Sequence, residues 1–103
     1  SKSGQKEFYD ELTKKTYKSD FYDEKNNLVI EVNGDYWHCN PKRFGPDYMH
    51  SHKKKTAKEI WEEDEERRNL ITNVYGCKYF IVWEEKWKSD KEEVLSKIKR
   101  FLK

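Results

Sequence analysis

The sequence predicts a small α/β fold: a mixed sheet built from a β-hairpin and one crossover strand, flanked by helices. Two apolar runs rich in β-branched and aromatic residues, 28–32 (LVIEV) and 78–84 (KYFIVWE), read as strands buried in a sheet. A long helical stretch, 56–75, separates them, and a strand–helix–strand succession makes the two strands parallel neighbours. The chain is 41% charged and only 34% apolar, yet aromatics reach 16% and fall in periodic segments, which argues against disorder. A length of 103 residues gives room for one modest core, so residues 1–103 are read as one domain.

In order, Phe8, Tyr9 and Leu12 recur at i, i+1 and i+4, which predicts a short amphipathic helix over 5–15. Residues 19–23 predict a strand and 24–27 a turn, because Asn26 and Asn27 tolerate positive φ. The central strand then runs to Gly34, which breaks it, and Asp35, Tyr36, Trp37 and His38 crowd its exit. Residues 39–53 hold both prolines, Gly45 and aromatics without a period, which is a long loop with a function. On the helix 56–75 the steps 60, 64, 67, 71, 74 put Ile60, Asp64, Arg67, Ile71 and Val74 on one inward stripe. Gly76 is placed to end that helix. After the strand 78–84, Ser89 and Glu92 form a capping box for a closing helix with Val94, Leu95, Ile98, Phe101 and Leu102 on its apolar face.

The net charge of +2 says little, but its distribution says more. Residues 39–58 carry six basic residues against the single acid Asp47, whereas 62–66 are all acidic. Lys42, Arg43, Lys53, Lys54 and Lys55, interleaved with Tyr36, Trp37, Phe44 and Tyr48, suit a nucleic-acid surface: cations neutralise phosphates and aromatics stack on bases. A solvated loop is the plainer reading of the same residues. Cys39 and Cys77 show no disulfide-framework or CxxC spacing, which fits a reducing, cytoplasmic setting. No apolar run approaches membrane length and no signal peptide opens the sequence. The sequence begins without Met and enters its first element almost at once, the pattern expected of a domain excised from a longer protein.

Glu31 and Asn33 leave the same face of the central strand. A buried acid needs a partner, and two alternatives stand: an Arg or Lys across the sheet, or a divalent cation shared with Asp20 on the facing strand. His38, close to those acids, is a candidate general base, since imidazole titrates near neutrality. A zinc site drawn from His38, Cys39, His50, His52 and Cys77 matches no familiar spacing, so no structural zinc is expected.

Together these residues resemble the very-short-patch repair endonucleases and the related catalytic domains of phage intron homing endonucleases, within the PD-(D/E)xK restriction-endonuclease-like group. The likeness runs from Ser19-Asp20-Phe21, through Val32-Asn33-Gly34-x-Tyr36-Trp37-His38, to Gly76-x-Lys78-x-x-Ile81-Val82-Trp83-Glu84. It implies a restriction-endonuclease-like fold and a Mg²⁺- or Mn²⁺-dependent endonuclease acting on double-stranded DNA, most simply of homing type with a separate DNA-reading part. A mismatch-nicking repair enzyme and a catalytically silent nucleic-acid-binding module on the same fold are the alternatives. By the same resemblance Asp20 and the Val32 carbonyl hold the metal, His38 acts on the attacking water, and a helix acid supports His38: Asp64 from the inward stripe, or Glu65 by ungapped counting from Gly76. Asn33 stands where relatives carry His or Lys, and Glu31 supplies the acid of restriction enzymes. Asp35 and Glu85 occupy two places that bind zinc in the repair enzymes. Gln5 stands where the family's first helix carries a Glu that helps hold the metal's water shell, with Glu7 as the alternative.

Overall fold

The computed structural model describes residues 5–102, and its chain order among them is β1 (Glu7–Asp10), β2 (Lys15–Lys18), β3 (Phe21–Asp23), β4 (Leu28–Asn33), β5 (Met49–His50), β6 (Lys55–Thr56), α1 (Ala57–Asn69), a π-helical turn (Leu70–Val74), β7 (Lys78–Trp83), α2 (Glu84–Ser89) and α3 (Lys91–Phe101). The central sheet has the order β3-β4-β7. β3 and β4 form an antiparallel hairpin, Phe21 facing Ile30, and Asn27 takes the positive φ that its turn needs. β7 lies parallel to β4, Glu31 beside Ile81, after the crossover through α1. The protein is thus α/β with a mixed sheet and three helices among the described residues, none long and apolar enough to cross a membrane.

The helix expected over 5–15 is a β-hairpin instead. β1 and β2 pair antiparallel, Phe8 facing Tyr17, and the burial alternates along β1 with period two. Phe8 is fully buried, but Tyr9 is exposed and Leu12, at 95% exposure, sits in the turn. The turn explains the outcome: Asp10 Oδ1 accepts from the Leu12 N–H, the Lys14 N–H reaches the Asp10 carbonyl, and Lys14 adopts φ 63°. An aspartate closing a turn on its own backbone competes with helix, and aromatic and β-branched flanks then favour strands.

The main core gathers Phe8, Val29, Leu70, Ile71 and Cys77, with Tyr17, Tyr22 and Tyr79 packed against it. A second cluster joins Cys39, Ala57 and Ile60 to Phe44 and Trp61, and the Trp61 Nε1–H donates to the Cys39 carbonyl at 2.7 Å. Thr56 and Glu59 form the capping box that starts α1. The stripe holds through Ile60 and Ile71 but fails at Val74, which is 72% exposed. The π turn is the reason: with i→i+5 bonding, the Tyr75 N–H reaches the Leu70 carbonyl and the phase slips, burying Leu70 in place of Val74. Gly76, φ 72°, then releases the chain into β7.

Beyond β7 two expectations need correction. The strand ends at Trp83, and the unforeseen helix α2 carries Ser89 in its last turn, so the cap of α3 moves to Asp90, whose carboxylate accepts from the Glu93 N–H at 3.1 Å. On α3 only Val94 is buried, while Leu95 and Phe101 stay exposed. Within 39–53 the loop holds the short strand β5, which pairs with β6, Met49 facing Thr56.

Candidate active site

The pleat of β4 sends Val29, Glu31 and Asn33 to one face, and register places Tyr79 and Ile81 of β7 on that same face. α1 lies across it, and near the exit of β4 the contact opens into a cleft of about 150 Å³ that also reaches Asp20 and His38. Asp20 sits just ahead of β3 and is exposed. Its Oδ2 accepts the Val32 backbone N–H at 2.8 Å, while no hydrogen bond to Oδ1 is found among the described residues. A strand residue's N–H and C=O leave the same edge, so the Val32 carbonyl also leaves on the Asp20 side.

Glu31 is 3% exposed and has a full set of donors. Oε1 accepts the Asp20 N–H at 2.9 Å; Oε2 accepts Arg67 Nε at 2.7 Å and the Tyr79 hydroxyl at 3.2 Å. Arg67 Nη2 lies 2.6 Å from Glu31 Oε2 and donates to the Lys18 carbonyl at 2.6 Å. Burial pushes the Glu31 carboxyl up, opposed by the Asp20 N–H and the Arg67 guanidinium. Burial likewise pushes the Tyr79 phenol up, reinforced by the Glu31 charge. The partner of the buried acid is therefore an arginine, reaching down from the helix and not across the sheet.

His38 is carried back to the cleft by the turn after Gly34, where its N–H donates to the Gly34 carbonyl at 3.0 Å. Its Nδ1 lies 2.9 Å from Asp64 Oδ2, both side chains partly shielded. A carboxylate only accepts, so Nδ1 carries the proton and the neutral ring keeps Nε2 as an acceptor. Glu65 points away and pairs with Arg68 at 2.9 Å. The three-residue step from Asp64 to Arg67 puts both on one helix face, one meeting His38 and the other Glu31.

Asp20, Glu31, Val32, Asn33, His38 and Asp64 are thus brought together. Asn33 is buried on the wall, with no hydrogen bond to its side chain among the described residues. Gln5 is exposed, two residues ahead of β1 and not on the cleft wall, and Glu7 faces Lys18 across the first hairpin. With the first helix gone, the helical spacing behind both choices no longer applies. Sequence reasoning placed Arg67 on the inward stripe but gave it no role, and it missed Tyr79 and Lys18. The signal for Arg67 was its step of three from Asp64.

Among the described residues no group of three or more His, Cys, Asp or Glu side chains is disposed to hold a metal. A cation here would draw on the Asp20 carboxylate, the Val32 carbonyl, water and phosphate oxygens. Mg²⁺ accepts that mixture, since it keeps several waters and takes one or two carboxylates. The residues present fit Mg²⁺ in this sparse form.

No family model, curated protein or solved structure matches this chain.

None of Tyr36, Trp37, Lys42, Arg43, Lys53, Lys54 and Lys55 lines the cleft, and Lys42 lines a separate cavity with Phe80, Val82 and Val94. The Tyr36 hydroxyl bonds Ser51 Oγ at 2.8 Å and His52 Nδ1 at 2.7 Å, and the Tyr36 ring stacks over buried His50, 4.2 Å between centroids. Trp37, half exposed, packs edge-on to Tyr36. Two of the five basic residues are engaged: Arg43 Nε donates to Glu85 at 2.8 Å and Lys55 pairs with Glu63. Lys42, Lys53 and Lys54 are in no ion pair among the described residues.

Proposed function

We propose that this chain is the catalytic domain of a metal-dependent DNA endonuclease of homing type, hydrolysing phosphodiester bonds. The observation that carries this reading is the His38–Asp64 pair opening into the same cleft as the Asp20 carboxylate. Asp64 orients the imidazole through Nδ1, leaving Nε2 to take a proton from an attacking water. Asp20, with the Val32 carbonyl beside it, is the group that would hold Mg²⁺ or Mn²⁺. When bound, such a cation supplies Lewis-acid stabilisation of the charge developing on phosphate. Asn33 offers an amide toward the same space, and Lys53 and Lys54, in no ion pair among the described residues, would supply further phosphate contacts. Asp20, Val32 and His38 are also residues by which the sequence resembles the very-short-patch repair and homing endonucleases.

A DNA-binding module without cleavage is the second reading. The occupied oxygens of Glu31 favour it, because they leave one carboxylate where many nucleases use two or more. Nicking of supercoiled plasmid separates the two. The nuclease reading expects nicking with Mg²⁺, none with chelator, and a loss of about 10²–10⁴-fold in His38→Ala. Bound but intact plasmid under every metal condition refutes it.

A further inference from the structure

The guanidinium of Arg67 sits where two segments that flank Asp20 converge. It donates to the carbonyl of Lys18, two residues before Asp20, and it holds Glu31, whose Oε1 in turn accepts the Asp20 N–H. The Asp20 carboxylate is then clamped from the other side by the Val32 N–H. Asp20 is thereby fixed through the chain before it, through its own amide and through one oxygen, with no hydrogen bond to Oδ1 among the described residues. Glu31 spends both oxygens on this arrangement. The Tyr79 hydroxyl supplies a further donor to Oε2 at 3.2 Å.

We infer that Arg67 and Glu31 are positioning residues, a relay from α1 that sets the place of the Asp20 carboxylate, and that Glu31 is not itself a ligand of the cation. The assignment rests on the nuclease reading for what Asp20 does, but not for how Asp20 is held. Because Asp64 lies one turn earlier on the same helix face, α1 fixes both halves of the site. Asp64 orients the base and Arg67 orients the carboxylate, so one rigid element sets the distance between them. A planar fork is what the task requires. It reaches Glu31 through Nε and Nη2 while Nη2 also meets the Lys18 carbonyl, and an ammonium would supply the charge without that geometry.

The test is Arg67→Lys, which keeps the charge and the helix, read by two measurements on the full chain. In metal-free protein, amide hydrogen exchange is followed residue by residue. The relay expects the Asp20 and Val32 amides to exchange at least tenfold faster in the variant, with those of β1 and α3 unchanged. In parallel, Mn²⁺ binding is titrated by electron paramagnetic resonance. There the relay expects affinity to fall about 10–100-fold, as for residues that orient a ligand, with Mg²⁺-dependent nicking regaining its wild-type maximum at saturating metal. Glu31→Gln keeps an acceptor for the Asp20 N–H but turns an NH2 toward Arg67, so it breaks the relay at that link and is expected to lower Mn²⁺ affinity by no more than the roughly 10–100-fold of Arg67→Lys. Loss of all Mn²⁺ binding in Glu31→Gln makes Glu31 a ligand and overturns the assignment. Unchanged Asp20 and Val32 exchange in Arg67→Lys overturns it as well. Wild-type protein that takes up no Mn²⁺ defeats the metal reading, and the exchange measurement then decides the relay alone.

Discussion

Replacing Arg67 with methionine removes the strongest partner of a nearly buried carboxylate while keeping a long apolar stem against the helix. Breaking a buried pair from one side costs about 3–5 kcal/mol, because the remaining charge keeps its desolvation penalty. Here the Arg67 side chain is 24% exposed, so water can enter from its side, and the Asp20 N–H and the Tyr79 hydroxyl still hold Glu31. These bring the loss to the bottom of that range or just below it, about 2–3 kcal/mol. For a chain of this size that corresponds to a fall in melting temperature of about 10–20 °C. The pH dependence has a definite sign. Burial already holds the Glu31 carboxyl above its ordinary value, and losing the guanidinium raises it further. A carboxyl raised in the folded state binds its proton more tightly folded than unfolded. It therefore costs nothing below the ordinary carboxylate range and destabilises increasingly as pH rises through that range toward the folded value. The gap between Arg67→Met and the parent should be widest at pH 7 and narrow on acidification to pH 5, measured by urea denaturation in chelator. The double variant with Glu31→Gln should recover part of the loss at pH 7. A variant within 1 kcal/mol of the parent at pH 7, or an equal gap at both pH values, would show that the guanidinium is not what holds the Glu31 charge.

Three further outcomes follow from the arrangement. Leu12→Asp, in the turn of the first hairpin, should change stability by less than about 0.5 kcal/mol, whereas Phe8→Ala should cost about 3–5 kcal/mol in the same denaturation assay; comparable losses would return that segment to a docked helix. DNA binding should weaken steeply with salt, and Lys53→Ala with Lys54→Ala should lower the slope of log K against log salt by about 2, while Lys55→Ala, already paired with Glu63, lowers it less. Cys39 and Cys77 are buried and their thiols are pushed up by desolvation, so a colorimetric disulfide reagent should label them slowly at pH 7 until denaturant is added.

Elements whose pattern is local and unambiguous could be read from the residues alone. β4 and β7 are dense in β-branched and aromatic residues, and the capped helix between them makes them parallel by connectivity alone. The step of three from Asp64 to Arg67 likewise fixed a shared helix face before any packing was known. The first hairpin was not legible, since Phe8, Tyr9 and Leu12 satisfy a helical spacing while Phe8 alone satisfies the strand period. What separated the two was the Asp10 turn and the core contact of Phe8 with distant Ile71 and Val29. Val74 was misplaced because a π turn changes the phase without a mark in hydropathy. The fate of Glu31 lay entirely in the tertiary structure. A strand pattern shows that an acid is buried, but which donor reaches it depends on how α1 crosses the sheet 36 residues later. Periodicity sets faces along one element; only the packing of elements decides which groups meet, and a buried charge is satisfied by whatever that packing brings within hydrogen-bond distance.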